Sequence, residues 1–515
     1  MTVFLVNSML TTISLRLSVA CLTIGTLCAC ASSATRPETA PTTTAGVGTV
    51  AALRTSIDSM VAEPKFRSME WGILIVDPER GDTLYAHNAG KLFMPASNQK
   101  ILTGTTALHL LGGGFRFATT VGSTGAISDG VLGGDLVVTG TGDPSISDNM
   151  SIDAMIPLRA IADSLIARGV KTIRGGLTRG GDYFSDGAYG YGWEWDDFDF
   201  PYSAGVEELF FNEGFSRIIL RGGDSPGAPV AIRTTPARTF PRVTNLAHTV
   251  EAGTVTRRTP NAPRVRQDSA DISGVIVEGN IAAGDSAVVS ISHRDQNAAY
   301  LLALREALAD RGIMVEGAVS ARVPQPATYP LFTIMSPTLR QILPAFEKPS
   351  QNQIGEILLK TLGRERTGSG RADSGAVVVR NQLLAWGALP DGFVVRDGSG
   401  LSRHDLVSPE TLVKTLAAIR SDTAFRAFYD ALPIAGVDGT IANRMKQSAA
   451  QGNVHAKTGS LDMVRSLSGY VTTADGRMVI FSVLANNWIV PVKEIEAVQD
   501  SIGVRLAQLH LKGAR

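Results

Sequence analysis

Hydrophobic positions recur with a helical period near both ends of the chain. Apolar residues three or four positions apart indicate amphipathic helices, and glycines or a proline follow the first two of these segments as stop signals. The helices predicted in this way cover 53–61, 97–111, 339–346, 353–362, 409–420 and 495–509. The ends of the chain are therefore expected to be rich in helix.

Short runs with strand character lie beside these helices. Residues 71–76 and 83–86 flank a turn and predict a β-hairpin, and 464–471 and 478–485 predict two further strands. We expect the late strands and the last helix to pack against the early helix and hairpin. This arrangement predicts an antiparallel sheet with helices, built from both chain ends.

The middle of the chain, residues 115–324, has a different pattern. Short apolar runs such as 135–138 and 217–220 alternate with turns rich in Gly, Asp and Ser, and one helix is predicted over 298–309. A chain of 515 residues is expected to contain more than one domain. We therefore predict an α+β protein in which a discontinuous domain, 49–114 with 325–515, carries a large and mostly β insertion.

The first residues predict export. Arg16 precedes an apolar run too short to span a bilayer but typical of a signal peptide. The run ends in Leu-Cys-Ala-Cys at 27–30, which resembles a bacterial lipobox, so we predict a signal peptide over 1–29, lipidation of Cys30 and a tether over 30–48. The alternative is a plain signal peptide cleaved nearby. Under the first interpretation the lipid is the only membrane attachment.

Composition excludes several classes of function. Lys+Arg and Asp+Glu are both 48, without the basic surplus of a nucleic-acid-binding protein. The three cysteines lie within the first 30 residues and no HExxH motif occurs, which excludes a thiol protease and a zinc ribbon and indicates no metal. We predict no cofactor.

Ser97 and Lys100 form the first candidate for chemistry. Residues three apart on a helix share a face, so the lysine amine lies beside a hydroxyl that needs a base to become a nucleophile. Burial lowers the pKa of a lysine and allows it to act as that base. The chain has 11 Lys against 37 Arg, and only lysine loses its proton readily. The alternative is a helix cap followed by a solvated lysine.

Two later motifs are individually weak. Ser350-x-Asn352 supplies a hydroxyl that can relay a proton and an amide that can hold a carbonyl, although helix caps have the same composition. Lys457-Thr458-Gly459-Ser460 suits a strand edge that pairs with an extended peptide and binds a carboxylate. The alternative for the latter is a turn at the end of a strand.

The order and spacing of the three motifs carry a family resemblance. The chain resembles the SxxK penicillin-binding proteins and serine β-lactamases. The gap of 253 residues from Ser97 to Ser350 resembles the class C, low-molecular-mass members of the D-Ala-D-Ala carboxypeptidase/endopeptidase family, which carry large insertions at this point. Gly-Asp-Pro-Ser at 142–145 and Asp-Gly-Ser-Gly-Leu-Ser-Arg-His at 397–404 are similar to other segments of that family.

The resemblance implies roles for individual residues. It implies that Ser97 is the acylated nucleophile, Lys100 the general base and Ser350 a proton shuttle. It also implies a substrate-binding set: Asn352, Lys457, Thr458 and Ser460, with Asp197 and Arg403 as further candidates. The backbone N–H groups of Ser97 and Ser460 would form the oxyanion hole. For the aromatic segment 191–202, which contains Asp197, packing between domains is the favoured alternative.

The implied function is a serine D-Ala-D-Ala carboxypeptidase with a penicillin-binding/transpeptidase-like domain. Its substrates would be peptidoglycan stem peptides, with endopeptidase cleavage of cross-links as a further activity and β-lactams as covalent inhibitors. Two alternatives stay open: a β-lactamase or esterase on the same scaffold, and a non-catalytic protein that binds cell wall.

Overall fold

The computed structural model describes residues 48–255, 259–271, 273–321 and 324–511. The predicted signal peptide, Cys30 and the tether up to residue 47 lie outside these ranges. Within them, no helix is both long enough and apolar enough to cross a bilayer.

The described chain contains both helices and strands, with runs of consecutive strands in the insertion. The helices are α1 (Val50–Val61), α2 (Gln99–Leu111), α3 (Asp148–Ser151), α4 (Met155–Ile166), α5 (Gln296–Asp310), α6 (Leu339–Glu347), α7 (Asn352–Thr367), α8 (Ala372–Ala385), α9 (Pro409–Arg420), α10 (Phe425–Ala431) and α11 (Val492–Ala507). The strands are β1 (Glu70–Asp77), β2 (Asp82–His87), β3 (Ala118–Ser123), β4 (Ile127–Ser128), β5 (Val131–Leu132), β6 (Leu136–Gly140), β7 (Thr172–Ile173), β8 (Leu177–Arg179), β9 (Phe215–Arg221), β10 (Ala231–Thr235), β11 (Arg242–Val250), β12 (Arg264–Gln267), β13 (Gly274–Ala282), β14 (Ser286–Ser292), β15 (Met314–Val315), β16 (Val319–Ser320), β17 (Tyr329–Met335), β18 (Phe393–Val394), β19 (Leu406–Val407), β20 (His455–Leu461), β21 (Val464–Thr472) and β22 (Met478–Asn486). Short 3₁₀ helices lie at Pro64–Phe66, Ala96–Asn98, Trp195–Asp197, Pro201–Ser203, Asn212–Gly214 and Gly439–Ile441.

Both ends of the chain contribute to one antiparallel sheet of order β2-β1-β22-β21-β20. Successive residues of a strand point to opposite faces, and here both faces are covered. Ile73 and Ile75 of β1 pack with α1 and α11, whereas Leu74 packs with the helices on the other side. Both faces are covered along almost the whole length of β21 and β22, and β22 is accordingly almost continuously apolar.

Helix α2 lies in the middle of the helical layer on the Leu74 face of the sheet. It contacts α6, α7, α8 and α9, and its residues from Gln99 to Leu108 are all buried. A helix enclosed on all sides holds its first turn rigidly. That turn carries Lys100, and Ser97 lies in the 3₁₀ helix directly before it.

The insertion is built from four further sheets with orders β16-β8-β6-β3-β17, β15-β7-β5-β4, β10-β9-β14 and β11-β13-β12. Helices α4 and α5 pack on each other in its main core. The predicted fold class is therefore confirmed: an α+β protein with a sheet from both chain ends and a mostly β insertion.

The sequence interpretation missed two longer helices, α4 and α8, and the short helices α3 and α10. Helix α4 contains Pro157 in its first turn. Backbone N–H groups of the first turn have no partner within the helix, so the proline removes no helical hydrogen bond there. Helix α8 contains Gly375 and three consecutive valines, which favour a strand by propensity. Gly375 lies so close to α7 that a Cβ there would be 1.9 Å from the Leu359 carbonyl oxygen, so tertiary packing decides the structure.

The insertion's main sheet extends past the predicted boundary at residue 324. Strand β17, residues 329–335, is antiparallel to β3, and Leu331, Phe332 and Ile334 pack against the core of the insertion. The boundary at 324 is therefore too early for this sheet. The division of the chain into domains stays a prediction.

Candidate active site

Ser97 is half-buried in the 3₁₀ turn that leads into α2. The preceding Ala96 has a positive φ of 47°, an unfavourable backbone conformation for a residue with a Cβ. Strand β20 lies directly against this turn: a Cβ on Gly459 would be 2.9 Å from the Ser97 nitrogen. Asn98 Nδ2 donates to the Lys457 carbonyl at 2.9 Å, so the first and third motifs are held side by side.

Lys100 is completely buried and its amine has three oxygen partners. Nζ lies 2.9 Å from Ser97 Oγ, 2.6 Å from Asn352 Oδ1 and 2.8 Å from the Ser399 carbonyl. The amide and the carbonyl can only accept at these oxygens. A neutral amine therefore donates its two protons to them and directs its lone pair at the Ser97 hydroxyl.

The environment of Lys100 favours the neutral amine. Burial lowers the pKa of Lys100 to about 7, and the positive charge of Lys457 acts in the same direction. Three carboxylates oppose this shift: Asp397, Glu347 and Glu356. The balance leaves a lysine that exchanges its proton near neutral pH, as a general base requires.

Ser350 and Lys457 form a second pair. Lys457 Nζ donates to Ser350 Oγ at 2.7 Å and to the Thr458 carbonyl at 3.1 Å. Ser350 has a positive φ of 65°, so its hydroxyl is presented by a strained residue. Burial lowers the pKa of Lys457 to about 8, while the charge of Glu347 raises it.

Asn352 connects Lys100 with the aromatic segment. Its Oδ1 faces the Lys100 amine, and its Nδ2 donates to the Tyr202 carbonyl at 2.7 Å. The Tyr202 hydroxyl in turn donates to Asp197, and burial raises the pKa of that carboxyl. Asp197 is thus linked to Asn352 through Tyr202, without a direct contact to the Ser97 cluster.

Thr458 and Ser460 lie on the outer strand of the sheet. The Thr458 hydroxyl donates to Thr440 Oγ1 at 2.7 Å, and Ser460 is exposed. Strand β20 pairs with β21 on one side, and its first residue bridges to Ile434. Among the described residues, no strand pairs with 457–461 on the other side, so this edge is available to an extended peptide.

Arg403 lies at the rim. Its Nε donates to Glu194 Oε1 at 3.0 Å and its Nη1 to the Asp462 carbonyl at 3.2 Å. The side chain therefore ties the aromatic segment to the loop after β20. These contacts do not include Ser97 or Lys100.

The aromatic segment 191–202 is mostly exposed, which corrects its interpretation as packing. Tyr191 and Trp195 are 62% and 82% exposed, and Phe200 and Tyr202 stack on each other with 44% of each exposed. Trp193 is packed, since it is buried and donates to Asp397 at 2.9 Å, and the partly buried Phe198 stacks on Tyr189.

The sequence interpretation missed groups that surround Lys100. Asp397 accepts backbone hydrogen bonds from Ser399, Gly400 and Ser402, and this turn directs the Ser399 carbonyl at Lys100. An Asp followed by Gly-Ser-Gly is a recognisable turn signal. Glu347 and Glu356 carry no comparable signal because each simply occupies a buried position on its helix. Within the described part of the chain, no three His, Cys, Asp or Glu side chains are grouped to hold a metal ion.

Comparison with known proteins agrees with this geometry. A family model described as the D-Ala-D-Ala carboxypeptidase 3 (S13) family matches residues 53–509. The D-alanyl-D-alanine carboxypeptidase of Actinomadura sp. (strain R39) is 33% identical over 472 residues, which cover 88% of this chain and 84% of the relative. D-alanyl-D-alanine carboxypeptidase DacB of Haemophilus influenzae is 28% identical over 427 residues, or 81% and 85% of the two chains.

Solved structures show the same fold. The crystal structure of penicillin binding protein 4 (dacB) from Haemophilus influenzae matches with a TM-score of 0.76 and 25% identity over 88% of this chain and 99% of the other. A structure of that protein complexed with a novel β-lactam matches with a TM-score of 0.71 and 24% identity, over 87% and 98% of the chains.

Proposed function

The chain belongs to the D-Ala-D-Ala carboxypeptidase 3 (S13) family, and from this premise we propose that it is a serine D-Ala-D-Ala carboxypeptidase of the bacterial cell wall. The resemblance identified from the three motifs is thereby confirmed. The observation that carries the function is the Lys100 amine, which faces two carbonyl acceptors and the Ser97 hydroxyl at once.

Acylation begins at Ser97. Its Oγ attacks the carbonyl carbon of the penultimate D-Ala while Lys100 accepts the hydroxyl proton. The negative charge that develops on the carbonyl oxygen is stabilised by the backbone N–H groups of Ser97 and Ser460. Support for this role comes from β20, which lies against the Ser97 turn at Gly459.

The leaving group is the amine of the terminal D-Ala. Ser350 passes a proton to it and draws on Lys457, whose amine lies 2.7 Å from the Ser350 hydroxyl. The peptide bond breaks, D-Ala leaves, and water later hydrolyses the ester on Ser97. Lys457 and Thr458 bind the carboxylate of the terminal D-Ala, and the edge of β20 pairs with the peptide backbone.

The outer residues have lesser roles. Asn352 orients Lys100 and offers its amide to the substrate, and Asp197 and Arg403 bind the stem peptide farther from the reacting bond. β-Lactams acylate the same serine. Endopeptidase cleavage of cross-links follows the same chemistry with a larger leaving amine.

The main experiment combines acylation with product release. Purified protein is incubated with a fluorescent penicillin and with a stem pentapeptide, in parallel with Ser97→Ala and with Ser164→Ala, a control on helix α4. We expect labelling and D-Ala release from wild type and S164A and neither from S97A. A labelled S97A protein would contradict the assignment of the nucleophile.

A cross-linked muropeptide dimer supplied to the same proteins tests the endopeptidase activity. Appearance of monomers by mass spectrometry, dependent on Ser97, is the expected result. Sustained hydrolysis of a chromogenic cephalosporin without D-Ala release would instead indicate a β-lactamase.

We also propose that residues 1–29 direct export to the periplasm or cell envelope and that Cys30 carries the lipid anchor. The lipobox-like sequence supports this proposal. Mass spectrometry of the mature N-terminus in wild type and Cys30→Ala tests it. An unmodified Cys30, or cleavage at another site, would contradict lipidation.

A further inference from the structure

Glu347, the last residue of α6, is a buried carboxylate that the mechanism above does not use. Its side chain is completely buried, and neither carboxylate oxygen has a hydrogen-bond partner within the described residues. A carboxylate in this position is unfavourable unless nearby charge compensates it.

Helix α2 leaves space for this carboxylate. A Cβ at Gly104 would lie 2.8 Å from Glu347 Oε1, so an alanine there would displace the side chain. Gly104 follows Lys100 by four residues and shares its face of the helix. The carboxylate is thus placed one helical turn behind the proposed base.

Two buried lysines lie near Glu347. Lys457 Nζ donates to Ser350 Oγ, three residues beyond Glu347, and Lys100 lies on the face of α2 that carries Gly104. Burial raises the pKa of Glu347, and the charges of Lys457 and then Lys100 lower it. Four other charged groups on the helices packed against α6 and at its end have partners of their own. Asp148 binds Arg217, Asp430 binds Arg426, Lys348 binds Asp438, and Glu356 accepts from the Gly398 N–H.

The two lysines differ in their dependence on Glu347. Asp397 and Glu356 also favour the charged form of Lys100, whereas Glu347 is the carboxylate that favours the charged form of Lys457. Among the described residues, no salt bridge or hydrogen bond joins Glu347 to Lys457. The attraction therefore acts without occupying an N–H group of the lysine.

We propose that Glu347 is a positioning residue whose buried charge retains the Lys457 ammonium, so that all of its N–H groups stay available for Ser350, the Thr458 carbonyl and the substrate. This inference rests on the proposed function and deepens it. Burial raises the pKa of Glu347 to about 7. The carboxylate is thus mostly ionised near pH 8, where Lys457 loses its proton.

The pH profile of acylation reports this role. In wild type we expect kcat/KM for D-Ala release to rise as Lys100 loses its proton near pH 7 and to fall as Lys457 loses its proton near pH 8. Glu347→Gln keeps the shape and removes the charge. Both limbs should then move to lower pH, the alkaline limb by about one unit and the acidic limb by less.

Two variants separate charge from structure. Glu347→Asp retains the charge, so its limbs should stay near the wild-type values even if its rate falls. Glu356→Gln removes another buried carboxyl group near Lys100 that does not act on Lys457. Its alkaline limb should stay in place.

Two outcomes would contradict this role of Glu347. If Glu347→Gln and wild type share the same alkaline limb, or if Glu356→Gln moves that limb equally, Glu347 does not retain the charge of Lys457. If Glu347→Gln does not fold by circular dichroism, Gly104→Ala takes its place, since the added methyl displaces the carboxylate, and an unmoved limb again overturns the proposal. A wild-type protein that neither labels with penicillin nor releases D-Ala would refute the proposed function instead.

Discussion

Lys100 and Lys457 are both completely buried, yet their surroundings differ. Lys100, on the first turn of α2, faces two carbonyl oxygens and the Ser97 hydroxyl. Lys457, on the edge strand β20, has the Ser350 hydroxyl and one carbonyl, with capacity for a further acceptor. Burial lowers the pKa of both lysines, so their different hydrogen-bond partners determine their different roles. Lys100 suits a base, and Lys457 suits a cation that binds a carboxylate.

Replacing the base should have the largest effect. Lys100→Arg retains a positive charge, but a guanidinium cannot give up its proton. We expect acylation by a fluorescent penicillin to slow by about 10³-fold, measured as a second-order rate constant. Lys100→Met, which has no charge, should lose a similar amount. An arginine variant with a tenth of wild-type activity would show that charge, not basicity, is the contribution of this residue.

Replacing the cation should have a smaller and more selective effect. Lys457→Met should reduce kcat/KM by about 10²-fold for a peptide ending in free D-Ala, through loss of a buried charge pair with its carboxylate. The matched substrate is the same peptide with a C-terminal amide, for which only the proton relay through Ser350 is lost, so wild type and variant should differ less. Equal losses on both substrates would contradict the carboxylate-binding role.

Asn352→Asp should favour the charged form of Lys100 and so make its charge state more similar to that of Lys457. The new carboxylate lies at the position of the Asn352 oxygen, 2.6 Å from the Lys100 amine, and raises the pKa of Lys100. At pH 7 acylation should fall by about tenfold, and the loss should shrink at pH 9 as Lys100 regains its free base. Labelling rates across this pH range provide the measurement. A loss that is independent of pH would indicate that the amide acts only by shape.

Arg403→Ala should have the smallest effect. Its ion pair with Glu194 is exposed at the rim, and such pairs contribute about 1 kcal/mol or less to stability. We expect less than a fivefold change in acylation by small penicillins and a larger change for stem peptides. Arg403→Lys serves as the control for charge. Equal changes for both kinds of acylating agent would argue against contact with the peptide.

Much of this arrangement was predictable from sequence because it is built from local patterns. The spacing of Ser97 and Lys100 implies one helix face, and the two later motifs each lie next to a predicted element. The partners that distinguish the lysines were not predictable. The Ser399 carbonyl is a backbone group that any residue would provide, and Glu347 acquires its role only when α6 packs against Gly104 of α2. The pairing of β17 was not predictable for a similar reason, since its partner β3 is far away in sequence.

The insertion joins the rest of the protein through two neighbouring segments. The Ser336 N–H donates to the Phe117 carbonyl, and the Phe117 N–H donates to the Ser336 hydroxyl. The Leu339 N–H donates to the Phe115 carbonyl. The chain therefore enters and leaves the insertion at adjacent positions. A short turn between these two segments could replace the insertion. Such a shortened protein would lose Tyr202, whose carbonyl accepts from Asn352. The insertion also contacts α7 through Gln353 and Lys360, so it forms part of the surroundings of the proposed active site.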